Sequence, residues 1–125
     1  MKPTDKQRRE IKRYIKKWRP RLFLGEWYIV TQHMVNDENG WAATCDPDEV
    51  YFHATISVYP SFWKHRKLER EEIIVHELCH CLTVGSIKMS RDLLEGDLVT
   101  AKQIKENNEM LTQRITNIVF NDEWD

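Results

Sequence analysis

A chain of 125 residues with a formal net charge of −1 is sized for one domain with a real core, spanning 1–125, and is too short for a two-lobed build. No apolar run approaches the ~20 residues of a membrane span, and Met1-Lys2-Pro3-Thr4-Asp5-Lys6 is followed by no hydrophobic segment, so neither a membrane segment nor a signal peptide is expected. Cys45, Cys79 and Cys81 lack the C-x-x-C spacing of a zinc knuckle, and an odd count cannot pair completely, so they read as reduced core residues of a cytoplasmic monomer.

Residues 4 to 18 read as an amphipathic helix: Thr4 or Asp5 can cap it, and Ile11, Tyr14, Ile15 and Trp18 fall on one stripe, with Pro20 as the stop. Its other face is basic. Residues 1 to 21 hold ten Lys and Arg against Asp5 and Glu10, a net +8, so the remainder carries −9. The plain reading is a solvated face packed on an acidic body; the alternative is a contact for nucleic acid or an acidic partner along 6–21.

From Glu26 to His33 the aromatic and β-branched content signals a strand. Asn36-Asp37-Glu38-Asn39-Gly40 is turn chemistry, so Trp41 to Cys45 is expected to return antiparallel, with a second turn at Cys45-Asp46-Pro47-Asp48. Between Tyr51 and Tyr59, Phe52, Ala54, Ile56 and Val58 alternate with polar positions, which gives a strand with one core face. His33, His53 and His65 read as ordinary surface or turn histidines.

Next comes His76-Glu77-Leu78-Cys79-His80. Residues four apart share a helix face, so the two imidazoles can converge on one ion, which makes half a tetrahedral metal site. Glu77 lies about 100° round the helix from His76 and about 60° from His80, near enough to reach water at the metal without being a ligand. Ile73, Ile74, Val75, Leu78, Leu82 and Val84 make this helix apolar nearly all round, which predicts burial, and Gly85 is placed to end it. Ser86 to Glu95 reads as a loop with a helical turn. From Leu98 on, Ile104, Leu111, Ile115, Ile118 and Val119 trace a last helix before the acidic tail 121–125.

The H-E-x-x-H pattern resembles the zincin metallopeptidases, in which two helical His bind zinc and the Glu is the general base. That resemblance implies an α+β fold: an N-terminal helix, a short three-stranded antiparallel sheet, the motif helix and a C-terminal glutamate helix. It also implies that the strand before the motif helix, here Tyr51 to Tyr59, borders a cleft where extended peptide can pair. Tyr51, His53 and Tyr59 are oxyanion candidates by position alone.

Catalytic zinc needs a third protein ligand. No His follows His80, and Thr83 and Ser86 occupy the places of the Gly and third His in the longer H-E-x-x-H-x-x-G-x-x-H pattern, so a downstream carboxylate remains: Glu95, Asp97, Glu106 or Glu109. Asn108-Glu109-Met110-Leu111 is similar to the glutamate helix of small gluzincin-like proteins of phages and prophages, and on that resemblance Glu109 is the choice. The function implied is zinc-dependent peptide-bond hydrolysis of a peptide or protein substrate, with His76, His80 and Glu109 holding Zn2+ and Glu77 as the base. The alternative is a catalytically weak, regulatory zincin-like protein that contacts nucleic acid through its basic helix, or a closed structural metal site completed by Cys79.

Overall fold

Helix α1 (Asp5–Arg21) starts at a reciprocal cap, with Thr4 Oγ1 accepting from the Gln7 N–H at 3.1 Å and Gln7 Oε1 accepting from the Thr4 N–H at 2.9 Å. The computed structural model describes residues 2–95 and 101–122. Pro20 lies inside the last turn of α1 and is not the expected stop, because the chain turns only after Arg21, with the Leu22 N–H bonded to the Trp18 carbonyl. Ile11, Tyr14 and Trp18 are buried, as their spacing predicts.

The sheet is small and mixed. Strands β1 (Tyr28–His33), β2 (Ala43–Asp48) and β3 (His53–Val58) lie in the order β1-β3-β2, with β2 antiparallel and β1 parallel to β3. The expected all-antiparallel sheet is therefore corrected: β2 does not fold back on β1 but pairs with β3, which inserts between the two. Composition explains the order. β3 buries Ala54, Ile56 and Val58 and takes the centre, whereas β2 carries Asp46, Pro47 and Asp48, which suit an edge. Pro47 is a strand residue and not part of the expected turn. The Tyr59 N–H bonds the Ala42 carbonyl, so alternation along β2 turns Ala43, Cys45 and Pro47 outward, and a proline is tolerated where no ladder donor is needed.

The turn residues 36–40 do form a turn, with Asn39 and Gly40 in the left-handed region at φ 52° and 73°, but it leads across to β2 and does not close a β1–β2 hairpin. Phe52 falls outside the strand. It adopts φ 50°, is 42 % exposed, and meets Trp27 edge-on with ring centroids 5.6 Å apart.

A short 3-10 turn (Pro60–Lys64) leads into α2 (Lys67–Glu95), which packs against α1, β2 and α3 (Ala101–Asp122). It passes through Gly85, so the expected stop and the loop after it are one continuous helix. Ile74, Val75, Leu78 and Cys79 are fully buried, while Leu82 is 43 % exposed, so the helix is apolar on most of its circumference and not all of it.

Two polar clusters fasten α1 to α2. Arg70 grips Glu10 through Nε at 2.8 Å and Nη2 at 3.1 Å, and Tyr14 donates to the same carboxylate at 2.9 Å. Lys17 and the Trp18 indole both donate to Glu71 Oε2 at 2.8 Å. Of the α1 cations, Lys17 is thus met by an acid of α2, whereas in the Arg70–Glu10 pair the cation comes from α2. No helix among the described residues is long and apolar enough to cross a membrane.

Candidate metal centre

Helical spacing brings His76 and His80 to one face of α2, with ring centroids 5.1 Å apart and planes at 84°. The packing of α3 on α2 brings Glu109 to them, with Oε2 3.4 Å from His76 Nε2 and Oε1 3.5 Å from His80 Nε2. One ligand atom from each of the three residues lies within 4.8 Å of the others, so the group could hold a metal ion. The spacing agrees with that chemistry: donors about 2.1 Å from a tetrahedral ion are about 3.4 Å from one another. Burial and the neighbouring His76 hold the His80 imidazolium below its ordinary pKa, against the pull of Glu109 and Asn108. A neutral imidazole facing a carboxylate at this distance gains little by itself. A cation between them gives all three lone pairs a partner.

Glu106 points elsewhere: its carboxylate is 3.8 Å from Lys102 and largely exposed. Asp97 and the side chain of Glu95 lie outside the described residues, as does the tail 123–125. Glu77 is 7 % exposed, with Oε1 3.9 Å from His80 Nε2, and is not one of the three converging donors. Burial, with the charge of Glu109 adding to it, pushes its carboxyl up to about 8.

His80 is held from behind by residues that spacing did not single out. Thr112 Oγ1 sits 3.4 Å from His80 Nδ1 and 3.1 Å from Thr83 Oγ1, and Asn108 Nδ2 donates to the Thr83 carbonyl at 3.5 Å. Thr112 and Thr116 are fully buried, and their four-residue spacing was the available signal for the inner face of α3. The His76 ring is less well supported, because its Nδ1 is buried without a hydrogen-bond partner among the described residues.

A groove of about 370 Å³ opens beside the site, lined by Trp41, Ala42, Ala43, Ile73, His76, Glu77 and Gln113 among others. The bordering strand is β2 and not the expected Tyr51 to Tyr59, because β3 is paired on both edges and has none to offer. None of Tyr51, His53 and Tyr59 lines this groove.

The cysteines are free thiols, and none belongs to a metal-capable group among the described residues. A hydrogen bond with Cys81 and burial raise the Cys45 thiol far above its usual range, and burial raises Cys79 to about 11, so neither is set up as a thiolate ligand. His33, His53 and His65 also stand outside the converging group.

Fold and site together define an α+β domain in which a buried helix and a C-terminal helix assemble a His-His-Glu group. No protein family, no curated protein and no solved structure matches the chain.

Proposed function

We propose that the protein is a zinc-dependent peptidase, with His76, His80 and Glu109 holding the ion and Glu77 as general base. The observation that carries this reading is the convergence of three donors, two of them 3.4 and 3.5 Å from the third residue's carboxylate oxygens, beside a second, buried carboxyl that is not among them. Bound there, zinc supplies Lewis-acid polarisation of a carbonyl and acidifies water. The chain's own residues do the rest. Glu77 takes the proton of the attacking water and gives it to the leaving amine, and its burial favours the neutral acid that the second transfer needs. Thr112 holds His80 so that Nε2 faces the site. The outward backbone groups of Ala43 and Cys45 on β2 offer an extended peptide a short stretch of main-chain pairing along the groove that holds His76 and Glu77.

The test is cleavage of an unfolded protein substrate by zinc-loaded protein, read by mass spectrometry, in the parent and in Glu77→Gln. The parent should cut, and the variant should keep its metal and lose about 10²–10⁴-fold in rate. Parent-level cleavage by Glu77→Gln, or none by the zinc-loaded parent, would end this reading.

A further inference from the structure

A second groove lies at the other edge of the sheet, between β1 and α1, with a volume of about 620 Å³. Lys12, Lys16 and Arg19 line it from α1, together with Ile15, and Ile29 and Thr31 face it from β1; no carboxylate and no aromatic ring is among its lining residues. Lys12 and Lys16 are exposed. Unlike Lys17, which is tied to Glu71, they enter no ion pair among the described residues. Arg19 uses Nε and Nη2 on the carbonyls of Leu24 and Gly25, which fixes its charge at the groove.

The strand beside these cations has an unused edge. The Tyr28 and Met34 N–H groups bond the carbonyls of Phe52 and Val58, so alternation directs the even-numbered backbone groups of β1 to β3 and turns those of Ile29, Thr31 and His33 away from it. An open ladder edge takes another strand, and the cations alongside select its charge.

We propose that this groove docks an acidic, extended peptide segment of a partner protein, which adds to β1 as a further strand and sets its carboxylates against Lys12, Lys16 and Arg19. Nucleic acid fits less well. The groove has no aromatic platform for bases, and its polar groups repeat at a peptide's spacing. The proposal is independent of the metal centre, which sits beyond the opposite edge strand.

The test uses the full chain in chelator, which removes any contribution from bound metal. The probe is a fluorescent peptide of alternating Val and Glu, about eight residues long so as to span β1, and binding is read by anisotropy. The parent should bind it and should not bind the Val-Lys counterpart. Lys12→Glu with Lys16→Glu, both on an exposed face, should weaken binding at least about tenfold. Thr31→Pro, which deletes an outward N–H and spares the ladder to β3, should weaken it as well. No binding by the parent, equal binding of the Val-Lys peptide, or unchanged binding by the double lysine variant would overturn the proposal. Unchanged binding by a folded Thr31→Pro variant would overturn the strand pairing. Tighter binding of a single-stranded oligothymidine than of the acidic peptide would overturn it by assigning the surface to nucleic acid.

Discussion

Replacing Glu109 by Ala separates a ligand from a bystander. Its carboxylate is 53 % exposed and reaches both histidines, so truncation opens no buried cavity, and the cost to folding without metal should stay within about 0.5 kcal/mol. The loss falls on the ion. Removing a partner that only orients a ligand costs about 10–100-fold in metal affinity, and removing one of three direct donors must cost more, so at least about 100-fold is expected, or about 2.7 kcal/mol. The control is Glu106→Ala. That residue is three positions away, largely exposed and 3.8 Å from Lys102, and deleting an exposed i,i+4 pair should cost about 0.2–0.5 kcal/mol of stability and nothing in metal binding. Competition against a chromophoric zinc chelator measures the affinities, and urea unfolding without metal measures the stability. A Glu109→Ala protein that binds zinc within about threefold of the parent, a difference under 1 kcal/mol, would refute the assignment, and so would an equal loss in Glu106→Ala.

Thr112→Val keeps the shape and removes the hydroxyl beside His80 Nδ1, so zinc affinity should fall about 10-fold, with about 1–2 kcal/mol lost in stability; unchanged affinity would mean that α3 does not orient His80. His76→Ala or His80→Ala should abolish stoichiometric zinc by elemental analysis of the purified protein, and full metal content in either would exclude the site. Glu10→Ala leaves Arg70, whose side chain is 19 % exposed, without its carboxylate, and should cost about 2–3 kcal/mol, measured by urea unfolding. The same pair gives a pH signature. Burial by itself would raise the Glu10 carboxyl, but the hydrogen bonds from Arg70 and Tyr14 outweigh it and hold it below 4.5, so its contribution is present above about 4.5 and is lost as pH falls through the lower native value. Acid unfolding of Glu10→Gln should lack that component; a midpoint and slope identical to the parent's would refute it.

What could be read in the sequence was whatever a single helix period fixes. Ile11, Tyr14 and Trp18 were placed in the core by spacing, and His76 and His80 were placed on one face in the same way. The sheet was not legible in that sense, because which strand lies between which others depends on side chains that meet only in three dimensions. Turn chemistry at Asn39-Gly40 correctly marked a turn but could not say that β3 would displace β2 from β1. Gly85 misled for a different reason: a glycine permits a helix to stop and does not oblige it to, and α2 continues to Glu95. On the last helix the apolar stripe is only part of the inner face, with Ile115 and Val119 packed against the core. Leu111 and Ile118 are 42 % and 61 % exposed, while Thr112 and Thr116 are the buried pair, hydrogen-bonded at 2.7 Å from Thr116 Oγ1 to the Thr112 carbonyl. Against the apolar stripe Glu109 projects to a flank; against the threonine face, three residues before Thr112 and seven before Thr116, it is in line with the surface that meets α2.

The strand order also gives the two proposed contacts separate places on one small sheet. A three-stranded sheet has two open edges, and placing the most apolar strand at the centre puts the two more polar ones at those edges. Pro47 offers no N–H on the outward edge of β2, so a peptide can pair continuously there only near Ala43 and Cys45, the end that meets the groove of His76 and Glu77. On the proposed peptidase reading, such a short register would hold an extended chain weakly and let products leave. The β1 edge has no proline in its six residues and has cations alongside, so pairing there can run longer and be selected by charge. The two edges therefore differ in the length of ladder they offer and in the charge beside it, and both differences trace to single residues: Pro47 on one side, Lys12 and Lys16 on the other.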